Sequence, residues 1–172
     1  ETILQAALTE RQELQLNLAA LHVHEIIRDA MDNYQLQLQE KEGEIALLLN
    51  AKNDRINADE VHFSNLISNL VDNAIKYSND KPRLTISTHS TKKHLVIKVE
   101  DHGIGMSKET VKRVFEKFYR AHTGNLHNVK GFGLGMSYVK TVVVAHKGKI
   151  KVESTLGKGS AFIVELPLLK ES

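Results

Sequence analysis

The chain has 172 residues, 41% of them hydrophobic, which is enough for one buried core. Its 23 basic and 21 acidic side chains leave a net charge of +2, and the Lys and Arg are scattered without a basic stripe interleaved with aromatics, which argues against a nucleic-acid binder. Cysteine is absent, so disulfides and thiolate metal sites are excluded, and a reducing cytosol is permitted but not required. No apolar run approaches the roughly 20 residues that cross a bilayer. The chain begins mid-pattern at Glu1, with neither initiator Met nor signal peptide, and is expected to be a segment of something longer.

Ile3, Leu4, Ala7, Leu8 and Arg11 recur at helical spacing and predict a helix over 2–12. Leu14, Leu16 and Leu18 then alternate with Gln15 and Asn17, as in a strand with one buried face. Residues 22–40 return to a period near 3.6, with Val23, Ile26, Ile27, Ala30, Met31 and Tyr34 on one side. Ile45–Leu49 reads as a short apolar strand and Arg55–Asn57 as its hairpin partner. Asp59 is placed to cap a long helix reaching about Tyr77, with Phe63, Leu66, Ile67, Leu70, Val71 and Ala74 facing inward. Asn79, Asp80 and Pro82 end it.

Leu84–Thr88 and Leu95–Val99 follow as strands across a turn near Ser90–Lys93. Ser107 caps a helix of about two turns, and Phe115–Tyr119 is an aromatic-rich second piece. Residues 120–131 carry no apolar periodicity and read as a mobile loop. A helix from Leu134 to His146 is stopped by Gly148, and Ile150–Glu153 and Ala161–Leu166 close the chain as a hairpin around Gly157 and Gly159. Helices beside a mainly antiparallel sheet make an α/β (α+β) fold in two layers.

Three clusters carry chemistry. Asn69, Asn73 and Lys76 share one face of the long helix. That helix already has a continuous apolar face, so its amides are not there for lack of core residues. An amide oxygen is a neutral, hard ligand suited to an octahedral Mg²⁺ shell, and Lys76, one turn on, can neutralise phosphate charge. Asp101 ends a strand whose inward residues are Leu95, Ile97 and Val99. Its carboxylate can accept a hydrogen bond from an exocyclic amine, which suits adenine, and Gly103 and Gly105 let the backbone turn beside a flat base. Gly131, Gly133 and Gly135 run from the loop into a helix start, where backbone N–H groups point at an anion.

That last spacing is neither a dinucleotide fingerprint nor a Walker loop, because no strand precedes it and no Lys-Ser or Lys-Thr follows the glycines. Gly157-Lys158-Gly159-Ser160 lacks the upstream glycine of a Walker loop and reads as a hairpin turn. His22 and His24, and His122 and His127, lack a carboxylate or third ligand at useful spacing, so no histidine is assigned a metal. His24-Glu25 has the look of a phosphoacceptor motif but lacks the downstream Pro and sits too close to the asparagine helix. It is read as part of an amphipathic helix.

Residues 69–78 (NLVDNAIKYS), 101–106 (DHGIGM), 115–120 (FEKFYR) and 131–136 (GFGLGM) resemble the asparagine, first glycine, phenylalanine and second glycine boxes of bacterial sensor histidine kinases. Residues 154–167 (STLGKGSAFIVELP) are similar to the tail of that family. The resemblance implies the Bergerat, or GHKL, fold: a mixed, mostly antiparallel sheet with helices on one face. It covers residues 13–172 as the catalytic ATP-binding domain, with Leu14–Leu18 as the first strand and residues 1–12 as the end of a dimerisation helix.

The resemblance implies ATP and Mg²⁺ as ligands. Asp101 would bind the adenine amine, while Gly103 and Gly105 shape the base pocket beside Ile104 and Met106. Asn73 with Asn69 would hold the metal, and Lys76 and Tyr77 would reach phosphate or ribose. Gly131, Gly133 and Gly135 would lie against the triphosphate, with Lys130, Phe132, Leu134 and Met136 in the same stretch, under a lid formed by residues 120–131. Phe115 and Phe118 would anchor that lid, and Arg120 would contact phosphate or the partner domain.

The partners implied are the dimerisation and histidine-phosphotransfer domain of the same parent, which would be a homodimer through its upstream helices, and a response-regulator receiver domain. The placement implied is cytoplasmic, as the cytosolic part of a membrane-bound sensor. Gyrase, mismatch-repair ATPases and related chaperones usually carry Glu four residues before the metal Asn, where this chain has Asn69. An amide takes no proton at neutral pH, which favours a kinase over a hydrolase. The rivals are a GHKL-type ATPase and a degenerate kinase acting as a nucleotide-sensing module.

Overall fold

The structure, a computed structural model, describes residues 14–117, 119 and 135–170. In chain order the described elements are β1 (Leu18–His22), α1 (Val23–Asp32), α2 (Gln35–Glu40), β2 (Glu44–Leu49), β3 (Arg55–Asp59) and α3 (Glu60–Lys76). There follow β4 (Arg83–Ser90), β5 (His94–Asp101), α4 (Lys108–Arg113), α5 (Gly135–Ala145), β6 (Lys149–Thr155) and β7 (Gly159–Pro167). The predicted helix over 2–12 and the loop over 120–131 lie outside the described residues.

Five strands form one sheet in the order β2-β4-β5-β7-β6, with β2 parallel to β4 and the other neighbours antiparallel. β1 and β3 form a separate antiparallel pair. The alternation predicted for β5 is observed: Leu95, Ile97, Val99 and Asp101 are buried while their neighbours are half-buried. These inward residues and those of β4 and β7 pack with α1 and α3 into one core, and α5 lies against α3. The result is the two-layer architecture expected, with helices on one face of a mostly antiparallel sheet. Among the described residues, no helix is long and apolar enough to cross a membrane.

α3 forms where its cap and its apolar spacing agree. Asp59 caps it by accepting the His62 N–H at 3.0 Å, and Phe63, Leu66, Ile67, Leu70, Val71 and Ala74 are all buried. Ser107 caps α4 in the same way, accepting from Thr110 N–H at 3.2 Å. The β6–β7 hairpin also stands where it was expected, turning through Gly157.

Three expectations are corrected. The first strand lies at Leu18–His22, four residues beyond Leu14–Leu18, because Asn17 N–H donates to the Asp59 carboxylate at 2.8 Å and the ladder begins only at Leu18 opposite Asp59. Residues 22–40 make two helices, not one. Asn33 and Tyr34 close tight turns onto Ala30 and Met31, and the Tyr34 hydroxyl donates to Asp72 at 2.8 Å, pinning the break to α3.

β2 and β3 do not pair as a hairpin either. β2 joins β4 in parallel and β3 joins β1. The loop between them is held elsewhere: Asp54 accepts the Val23 N–H on its carbonyl at 3.0 Å and the His24 N–H on its carboxylate at 2.9 Å. It thereby supplies the start of α1 with the acceptors that His22 does not.

Candidate functional site

The site is built around α3. Asn69 and Asn73 sit one turn apart and half-buried, Lys76 ends the helix exposed, and Tyr77 forms its C-cap. The Asn69 amide is oriented by its own helix. Its Nδ2 donates to the Asn65 carbonyl at 2.7 Å, which leaves Oδ1 as the atom turned outward. That oxygen lies 3.3 Å from where a Cβ would stand on Gly135, the first residue of α5. The asparagine cluster and the end of the second glycine cluster therefore meet side by side.

The first glycine cluster arrives from the other end of α3. Ile104 N–H donates to the Tyr77 carbonyl at 2.9 Å, and Asn79 Nδ2 donates to the His102 carbonyl at 3.3 Å. A Cβ on Gly103 would overlap the Tyr77 carbonyl oxygen, so this close approach admits only glycine. Gly105 has φ +71 and lies as tightly against the Thr155 carbonyl. Ile104 is 37% exposed, whereas Met106 and Met136 join the core.

Asp101 is a buried carboxylate, 5% exposed at the end of β5. Burial pushes its carboxyl up to about 6, against the opposing pull of backbone bonds from Gly103 and Ser160 and of nearby His102. The Gly103 N–H bond to Oδ1 measures 2.9 Å. A carboxylate kept this dry, with glycine backbone beside it, is suited to accept from a neutral amine at the edge of a flat ring.

Beyond the site, hydrogen bonds punctuate the mainly apolar contact between α3 and α5. The Asp59 N–H donates to His146 Nε2 at 3.0 Å, and His146 Nδ1 is bonded to the Val142 carbonyl at 2.7 Å. His62 Nδ1 lies 2.6 Å from the Tyr138 hydroxyl, which also bonds Asn65. His62, Asn65 and His146 were not singled out from the sequence as partners, because only the antiparallel packing of the two helices brings them together. Phe115 stacks edge-on to Phe162 with ring centroids 6.1 Å apart, and Tyr119 bonds Thr110 at 3.0 Å. Phe118, Arg120, Lys130, Gly131, Phe132, Gly133 and Leu134 lie outside the described residues.

Ser154 and Ser160, both within the 154–167 stretch, were assigned no role from the sequence, since a serine in a strand carries no pattern of its own. Among the described residues there is no group of three or more His, Cys, Asp or Glu side chains that could hold a metal. The side-chain oxygens that Asn69 and Asn73 supply on α3 are amide oxygens, whose hard, neutral character fits Mg²⁺.

Residues 58–170 match the sequence family of histidine kinase-, DNA gyrase B- and HSP90-like ATPases, and the chain belongs to that family. Within it the chain is a GHKL catalytic domain homologous to sensor histidine kinases. It is 44% identical over 172 residues to sensor protein RprX of Bacteroides fragilis, covering 99% of this chain and 33% of that protein. It is 28% identical over 158 residues to sensor histidine kinase YclK of Bacillus subtilis, covering 91% of this chain and 33% of the relative. The chain thus spans about a third of the length of these relatives.

Among solved structures, full-length ShkA in complex with AMPPNP matches with a TM-score of 0.86 at 24% identity, over 99% of this chain and 35% of ShkA. The catalytic domain of histidine kinase ThkA matches at 0.77 and 22%, over 88% of this chain and 98% of that one. At these identities the structures show the fold.

Proposed function

We propose that the chain binds Mg-ATP and acts as the catalytic domain of a two-component sensor kinase, with residues 13–172 as that domain and 1–12 as the end of a dimerisation helix. It transfers the γ-phosphoryl group to a histidine on the dimerisation domain of the same homodimeric parent. A response-regulator receiver domain then takes the group. The parent's catalytic region is cytoplasmic. The observation that carries this reading is the convergence on α3: the Asn69 amide oxygen beside Gly135 at one side, and the Tyr77 carbonyl against the Gly103 turn at the other.

In this reading Asp101 accepts the adenine amine while Gly103 and Gly105 allow the base to lie close. Asn69 and Asn73 hold Mg²⁺, which neutralises charge on the phosphate oxygens when bound. Lys76 and Tyr77 reach phosphate or ribose, and Gly131, Gly133 and Gly135 line the triphosphate. The bond from the γ-phosphorus to its bridging oxygen breaks as one from phosphorus to an imidazole nitrogen forms, and ADP leaves. An imidazole nitrogen is already a nucleophile and needs no general base, whereas water would need one. Position 69 offers only an amide.

The test has two arms. The fragment is titrated with ATP by calorimetry and assayed for phosphate release, then mixed with a separate dimerisation domain and assayed for acid-labile phosphohistidine. Binding, near-zero release and a labelled histidine are expected. Steady release by the fragment alone would point to a mechanical ATPase, and binding without transfer to a nucleotide-sensing module; either result defeats the kinase reading.

A further inference from the structure

The β6–β7 hairpin carries none of the residues assigned to the nucleotide, yet it holds the turn after Asp101 from behind. Gly157 N–H donates to the Ile104 carbonyl at 2.7 Å. Ser154 Oγ accepts the Met106 N–H at 2.7 Å and donates to the Gly159 carbonyl at 2.9 Å, and Ser160 Oγ lies 2.8 Å from it. A hydroxyl has one proton and two lone pairs. With its proton on Gly159, Ser154 accepts from both Met106 N–H and Ser160 O–H, so its bonding capacity is filled.

Those partners reach both ends of the turn. Ser160 stands opposite Asp101 in the β5–β7 register and bonds its carboxylate through the backbone. Gly159 lies so close to the Asp101 carbonyl that a Cβ there would overlap it. Met106 closes the other end of the turn. A single half-buried hydroxyl on β6 therefore ties the start of the 101–106 turn to its finish.

We propose, resting on the ATP reading above, that Ser154 is a positioning residue for the purine end of the nucleotide site. Its hydroxyl fixes the Asp101–Met106 turn in the shape the base requires and touches no ligand itself. Without it the Met106 N–H loses this acceptor and the Ser160 hydroxyl this partner, so the Met106 end of the turn is released while the bonds at His102, Gly103 and Ile104 remain. Affinity falls because the turn must be reshaped each time a nucleotide binds.

The experiment compares the unsubstituted 172-residue chain with Ser154→Ala and Ser154→Thr, titrating each with ATP and with ADP in Mg²⁺ by calorimetry, alongside hydrogen exchange at the Met106 amide. Ser154→Ala is expected to weaken both nucleotides by the same factor, about tenfold, and to speed exchange at Met106. Ser154→Thr, which keeps the hydroxyl, restores both. Equal affinity of the Ala variant and the unsubstituted chain would overturn the assignment. So would a loss confined to ATP, or one that Thr does not restore. Should the Ala variant fail to fold, the Thr variant decides, because weakened binding with the hydroxyl present refutes its role. An unsubstituted chain that binds neither nucleotide defeats the ATP reading instead, a result distinct from all of these.

Discussion

Asp101→Asn should make this protein more stable while disabling it. Raising a carboxyl from its ordinary 3.8 to about 6 corresponds to about 3 kcal/mol of ionisation cost at neutral pH. Asparagine avoids the buried charge and can still accept the Gly103 N–H through its oxygen. Its NH₂ cannot satisfy a second backbone donor, so the net gain is expected to be about 1–3 kcal/mol. The sign follows from linkage. The folded pKa lies above the unfolded one, so folded protein holds the extra proton between pH 3.8 and about 6, and the stability that the neutral carboxyl contributes is lost as pH rises through that window.

Urea unfolding of the two proteins should accordingly coincide near pH 4, diverge up to about pH 6 and differ by a constant amount above it. Calorimetry at pH 7.5 should show ATP affinity lowered by about 10- to 150-fold in the variant, the worth of one bond to a charged acceptor. Affinity of the unsubstituted chain should fall as pH drops below about 6. A variant less stable at pH 7.5, or a stability difference flat from pH 4 to 8, would refute the argument that desolvation dominates at this carboxyl.

Gly103→Ala forces a methyl into the Tyr77 carbonyl and is expected to cost more than about 2 kcal/mol in urea unfolding and to abolish ATP binding. Asp59→Ala removes a helix cap and leaves the Asn17 N–H without its acceptor, an expected loss of about 2–4 kcal/mol by the same assay. His24 is held below its ordinary 6.5 by burial, with Arg28 and His22 pressing the same way against Asp54. Its neutral form is the folded one, so stability should decline as pH falls through 6.5. His24→Gln should flatten that slope between pH 7.5 and 5.5, and an unchanged slope would exclude His24 as its source.

What could be read in advance was what is local. Asp59 and the apolar positions of α3 lie within one helix, so cap and period sufficed. The pairing of β2 was not legible because Glu44–Leu49 and Arg55–Asp59 are adjacent in sequence but serve different sheets, and Asp54 makes that choice by bonding residues about 30 positions earlier. The shift of β1 has the same origin, since Asn17 is held by a carboxylate 42 residues away. At the site, Asn69, Asp101 and Gly103 stood out by residue type and spacing: amides on a core helix, an acid at a strand end, a glycine two residues after it; the contact of Gly103 with the Tyr77 carbonyl was not legible. Ser154 matters only through its partners, and no spacing in the sequence announces them.

The hydrogen-bonded contact between α3 and α5 has a mechanical corollary. Two greasy helices can creep past one another with little penalty, because one apolar contact replaces another. Here a displacement by one turn would part His146 from Asp59 and Tyr138 from His62 together, stranding polar groups at each rung. The alignment behaves like a toothed rack with one engaged position, and in that position Gly135 meets Asn69.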